Sequence, residues 1–211
     1  MNDFSGQNLV GADFSGQKLS KANFQGANLT GANFSGATVS SANFSDAILK
    51  NANFSHAICD GADFTQADLT EANCAWANLS ETSFQHACLV NANLYNVTLN
   101  DSSCESADFS RANLRGAFFG CTQLDNAKFH GADLSGTRLD CYDFPSNFND
   151  LTSTLVDEAA TLLLTVVRSA GGMDKAFAQN WAGRGALLES TKYLGEGHSF
   201  NAVYPYVYGS I

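Results

Sequence analysis

Residues 22–34 read Ala22-Asn23-Phe24-Gln25-Gly26-Ala27-Asn28-Leu29-Thr30-Gly31-Ala32-Asn33-Phe34, and the same five-residue phrase extends far in both directions. Stepping by five from Phe4 meets an apolar or cysteine side chain every time as far as Phe144: 29 centres without a slip. Two residues before the centre stands Ala in 20 of the 29 cases, and one residue before it is usually Asn or Asp. Gly falls two after many centres, as at Gly6, Gly11, Gly16 and Gly26. A period of five suits neither an amphipathic helix nor a flat strand, whose periods are 3.6 and 2. It requires a chain that turns a corner every five residues. The large centre points inward with the small residue beside it. The Asn/Asp and Gly/Ser positions serve the turns, by side-chain hydrogen bonding and by tolerance of positive φ.

Phe recurs every ten residues from Phe4 to Phe64. Like residues then stack only if each coil has an even number of sides. Beyond about residue 100 the phase changes, and Phe109, Phe119 and Phe129 occupy the former Leu columns. The core is expected to exchange which pair of sides carries the rings.

The phrase A-[N/D]-[L/F]-x-x, as in Ala27-Asn28-Leu29-Thr30-Gly31, resembles the pentapeptide-repeat family over about two thirds of the chain. The resemblance implies an all-β solenoid, a right-handed quadrilateral β-helix of about seven coils with 20 residues each. Coils one strand spacing apart, ~4.8 Å, make a rod roughly 35 Å long. Residues 1–149 are assigned to the coil and 150–211 to a small α-helical segment that caps it. Helices are expected from Asp150 or Thr152 to about Arg168, over Asp174–Ala182 and over Ala186–Tyr193. The first coil carries no cap, with Phe4, Leu9, Phe14 and Leu19 lining an open end. That predicts a homodimer through the N-terminal coil, since unpaired strand edges invite another chain.

The net charge of −10 argues against direct contact with nucleic acid or an anionic membrane. No stretch approaches the ~18–20 apolar residues of a membrane span, and the N-terminus lacks the marks of a signal peptide. A cytoplasmic, bacterial protein with six reduced thiols is expected. Four-sided coiling stacks Cys121 and Cys141 on adjacent coils, and proximity without a bond is expected. Cys59, Cys74 and Cys104 stand at centres and read as small core residues. The histidines 56, 86, 130 and 198 are scattered without metal spacing, and no nucleophile elbow, P-loop or dinucleotide fingerprint occurs. No enzyme, cofactor or metal is expected.

A protein partner is expected instead. With columns repeating every 20 residues, His56, Trp76, Tyr95 and Arg115 converge on one side near the middle of the rod. Ile58 and Phe118, outward on the next side, extend the patch. Trp, Tyr and Arg are the residue types most enriched at binding hot spots. The resemblance also admits a narrower function. Members of the quinolone-resistance type imitate duplex DNA and bind type II topoisomerases such as DNA gyrase. Residues 1–144 carry 15 Asp/Glu against 7 Lys/Arg, in keeping with such a mimic. A third reading is a bacterial effector in which the coil positions a functional C-terminal segment.

Overall fold

A computed structural model describes residues 2–139, 166–169 and 187–190 of the chain. From Asn2 to Leu139 the backbone follows one rule. Each outward residue before a centre pairs in parallel with its equivalent 20 positions on: Asp3 with Asn23, Asn8 with Asn28, Asp13 with Asn33, Lys18 with Thr38. Four such pairings per 20 residues give four sides, each a strand only a residue or two long. In the order met along the chain they are called sides one to four. Amides run both ways across each junction. Phe24 N donates to Asn43 O at 2.7 Å, and Asn43 N donates to Ala22 O at 2.9 Å.

Each corner is a β-turn. Ala27 N donates to Phe24 O at 3.0 Å, closing the turn Phe24–Ala27. Its third residue, Gly26, has φ +63°. The third turn position keeps positive φ at every corner from Gly6 to Gly136, where 17 of the residues are not glycine. Left-handed backbone costs an L-residue roughly 1–2 kcal/mol, so the ladder outweighs that cost at each corner. The residue before the centre fixes the corner from outside. Asp13 Oδ1 accepts Ser15 N–H at 3.0 Å and Asn53 Oδ1 accepts Ser55 N–H at 3.0 Å. This is the side-chain bond that Asn and Asp offer to turns.

The core is a stack of rings. Phe24, Phe44 and Phe64 lie parallel on side one, with centroids 4.8 and 5.0 Å apart. Phe14, Phe34 and Phe54 do the same on side three at 4.8 Å. The two columns meet edge-on, as at Phe34–Phe44 (5.5 Å, 89°). Quadrupoles favour both arrangements, parallel displaced and edge-to-face. The expected exchange of columns is present: Phe109 and Phe129 stack on side two at 5.1 Å and meet Phe119 of side four edge-on at 6.0 and 6.3 Å. Cys74 and Cys104 end the first two Phe columns, and both are buried. Ala at the inward small position is buried throughout the middle coils, beside the centre rings.

At one corner column the small residue is a hydroxyl. Thr82 Oγ1 and Ser102 Oγ both donate to Leu79 O, at 2.6 and 2.8 Å, and Thr122 Oγ1 donates to Leu99 O at 2.6 Å. All three side chains are buried, and each bond satisfies a buried carbonyl.

Several expectations are corrected. The chain beyond the coil is not helical where it is described. Strand β1 (Arg138–Leu139) pairs in parallel with β2 (Val166–Ser169), and β2 pairs in parallel with β3 (Leu187–Ser190). The helix expected to reach Arg168 and the one expected from Ala186 both give way to strands. An open parallel ladder rewards extended backbone with hydrogen bonds, and Val166-Val167 is β-branched. Arg138, Val166 and Leu187 share one register, so side four gains two further layers. The helix expected over Asp174–Ala182 lies outside the described residues.

The first coil is also less open than expected. Phe14 and Leu19 are buried, while Phe4 and Leu9 are partly covered. The side chains of Gln7 and Gln17, standing where later coils have Ala, fold back and donate to Asp3 O and Asp13 O at 3.2 and 3.1 Å. Cys121 is disulfide-bonded, against the expectation of a free thiol, whereas Cys59, Cys74, Cys88 and Cys104 are free. Corner positions 20 residues apart lie about one strand spacing apart, within the Cα range that disulfides use. Cys141 lies outside the described residues.

Candidate protein-binding corner

The turn between sides three and four sets the candidate site. Its left-handed position carries, coil by coil, Gly16, Gly36, His56, Trp76, Asn96, Gly116 and Gly136. His56 has φ +57° and Trp76 φ +64°. A positive φ aims the side chain away from the core, so a large residue here stands out from the wall. Trp76 is 54% exposed and Tyr95 38%. The His56 and Trp76 rings lie parallel (4°) with centroids 6.4 Å apart. Trp76 meets Tyr95 edge-on, at 5.6 Å and 82°. Backbone bonds hold the three in place: His56 N donates to Ala75 O at 3.0 Å and Trp76 N to Tyr95 O at 2.9 Å. Their spacing is therefore set by the ladder, not by loop conformation.

The other expected members are placed less closely. Arg115 follows Tyr95 one coil on, and its guanidinium reaches Asp133 at 3.8 Å. Ile58 is 46% exposed on side four, two residues after His56. Phe118 shares that column, but Asn78 and Thr98 lie between them, so the two do not form one patch. Phe118 carries the Arg138 guanidinium 4.9 Å over its ring. Two further exposed apolar side chains, Val10 and Ile48, escaped the reading by columns because neither has a second large exposed apolar residue one coil away in its column.

Side three beside the corner is an amide ladder. Asn33 donates its carboxamide N–H to Asp13 at 3.1 Å, and Asn53, Asn73, Asn93 and Asn113 each donate to the residue one coil before at 2.9–3.2 Å. The 20-residue column of Asn was legible in the sequence; its hydrogen bonds were not. At the ladder's start the Asp13 carboxyl is held below its usual range, first by the Ser15 amide, and Asn33 adds to this.

The buried thiols are placed against reactivity. Burial pushes the Cys74 thiol up to about 12 and raises Cys59 and Cys104 as well. A thiol held protonated is neither nucleophile nor ligand. Among the described residues, no three His, Cys, Asp or Glu side chains are placed to hold a metal ion, and no helix is long and apolar enough to cross a membrane.

A four-sided coil closed by a turn every five residues, its decoration confined to the outer wall, defines a β-solenoid. The chain belongs to the pentapeptide repeat family: the family model "Pentapeptide repeats" matches residues 8–46, 47–85, 77–116 and 107–140. Membership gives the coil its right hand, and proteins of this family are generally structural and interaction proteins, not catalysts. The fold is also that of QnrB1, a plasmid-mediated fluoroquinolone resistance protein. One trypsin-treated point variant of it is 18% identical over 91% of each chain, with a TM-score of 0.58. A second trypsin-treated variant has the same identity and coverage and a TM-score of 0.50. A pentapeptide repeat protein of the Arabidopsis thaliana thylakoid lumen is 35% identical over 53% of this chain and 71% of its own, with a TM-score of 0.26. No curated protein matches the chain at a significant level.

Proposed function

We propose that the chain is a non-enzymatic scaffold that binds a partner protein through the corner formed by His56, Trp76 and Tyr95, with Ile58, Arg115 and Phe118 at its margin. The observation that carries this is Trp76, a large aromatic side chain 54% exposed on a wall built mostly of polar residues. An indole held by backbone bonds loses little conformational freedom on binding, which is the economy that makes aromatic anchors effective. The test is capture of a purified partner by the full chain. Trp76→Ala should weaken capture by about 2 kcal/mol or more, the usual hot-spot threshold, without lowering thermal stability. Unchanged affinity, or a variant that unfolds early, removes the site.

A second reading is a duplex-DNA mimic that occupies a type II topoisomerase. Side one and its following turn favour it. The columns beginning at Asp3, Ser5 and Gly6 carry Asp3, Asp46, Asp63, Glu105 and Asp125 and no Lys or Arg through Asn126. QnrB1, of the same fold, is a fluoroquinolone resistance protein. A supercoiling assay with purified DNA gyrase decides: inhibition or protection that Asp63→Asn with Glu105→Gln abolishes supports mimicry, and no effect of the native chain ends it.

A further inference from the structure

We propose that the aromatic corner receives the arginine or lysine side chains of a basic segment of the partner protein. The inference rests on the scaffold reading of the same corner. Its ground is the charge of the band in which the corner lies. Residues 51–110 amount to three full circuits of the coil, and they contain eight Asp/Glu and no Lys or Arg. His56, Trp76 and Tyr95 all fall within that band. On Trp76's own coil the two neighbouring corners are Glu71 and Glu81, both exposed and both at the left-handed turn position that turns side chains outward. The indole is thus flanked, one side of the coil away in each direction, by carboxylates.

Of the cations around the band, four are engaged and one, Arg111, stands exposed in Glu71's corner column two coils on. Lys50 pairs with Asp68 at 3.2 Å and Lys128 with Asp108 at 3.8 Å, both on side two. Arg115, beside Tyr95, reaches Asp133, and Arg138 lies over Phe118. Six of the eight acids of the band therefore have no Lys or Arg partner among these pairs. A cation is drawn to this band by the field and held at the corner by the ring. Guanidinium and ammonium groups bind the π face of Trp best among the aromatics, and Tyr next. An anionic or purely apolar partner meets the same carboxylates and loses by it. The chemistry therefore selects a basic partner, and charge steering speeds its arrival.

The probe is acetylated, amidated hexa-arginine, titrated calorimetrically into the full chain at low ionic strength, with hexa-citrulline as the uncharged match. Hexa-arginine should bind about tenfold or more tightly than hexa-citrulline, and Trp76→Ala should remove about tenfold of that, with Trp76→Phe in between. Glu71→Gln with Glu81→Gln should weaken binding clearly more than Asp46→Asn with Asp125→Asn, an equal change of charge beside a different corner. Equal affinity for the two peptides overturns the proposal. So does arginine binding that Trp76→Ala leaves unchanged, or equal losses from the Glu71/Glu81 and Asp46/Asp125 variants, since both outcomes mean a diffuse field with no seat. If partner capture depends on Trp76 but hexa-arginine does not bind there, this inference falls and the scaffold reading stands. If hexa-arginine seats on Trp76 while partner capture ignores it, the corner binds arginine but is not the partner's seat, and this inference falls together with the scaffold reading's site.

Discussion

The side chain of Asn96 lies across the position where a Cβ on Gly116, its equivalent one coil on, would stand. The two residues share the corner column of Trp76, and each fits because the other is what it is. Gly116 also has φ +69°, so two independent costs meet at one site.

Gly116→Ala should therefore destabilise the coil by more than the ~1–2 kcal/mol of left-handed strain alone. Gly31→Ala is the control: φ is +67° and nothing stands within 4 Å of the added Cβ, so it bears the strain only. Asn96→Gly in the Gly116→Ala background should recover the difference. Urea midpoints for the three variants check this, and equal losses at Gly31 and Gly116 would show that Asn96 simply swings aside.

The amide ladder makes an ordered prediction. Asn73 accepts from Asn93 at 2.9 Å and donates to Asn53 at 3.2 Å. Asn73→Ala removes both bonds, and also the Ala75 N–H bond that Asn73 Oδ1 accepts at 3.3 Å, and should cost about 1–3 kcal/mol. Asn73→Asp keeps the acceptor and loses only the donor, so its loss should be smaller at neutral pH. Chemical denaturation of both variants reads the order, and a reversed order would mean that a carboxylate is not tolerated within the ladder.

The buried hydroxyl corner should be sensitive to the loss of one oxygen. Thr122→Val leaves shape nearly unchanged but strips the 2.6 Å bond from Leu99 O. A buried carbonyl that loses its donor costs about 1–3 kcal/mol. Thr122→Ser should retain most of the stability. Thermal melts that fail to separate the Val and Ser variants would show that water or another donor replaces the hydroxyl.

Acid should act partly through Asp68. Burial raises its pKa, but the Thr70 hydroxyl and amide, with Lys50 at 3.2 Å, bring it below the usual carboxyl value. A depressed folded-state pKa contributes stability above the unfolded value and loses it as pH falls through the folded one. Asp68→Asn should flatten that part of the acid limb while leaving behaviour at higher pH nearly parallel to the native chain. Stability measured against pH from the carboxylate range upward checks the sign.

Much was legible without coordinates because the repeat is local. A centre every five residues fixes which side chain points inward, and the Phe4–Phe64 alternation, with the resemblance supplying the number of sides, assigned every column. The convergence of His56, Trp76 and Tyr95 followed from stepping by 20, since a rigid ladder turns register into proximity. By the same stepping Ile58 and Phe118 share a column of side four, three coils apart, so they lie on the next side separately.

What the sequence determined by itself was the coil: a strict period allows one backbone path, and its turn residues, small residues and centres all agree on it. Only the tertiary structure decided what happens where the period stops. Val166–Ser169 and Leu187–Ser190 carry helix-compatible patterns, yet they are strands, because the exposed edge at Arg138–Leu139 offers parallel pairing that no local pattern records. The folding-back of Gln7 and Gln17, the clasp of Asn96 over Gly116 and the disulfide at Cys121 belong to the same class. Each depends on a neighbour supplied by stacking or by a fold-back of the chain, and such neighbours exist only once the coil has closed.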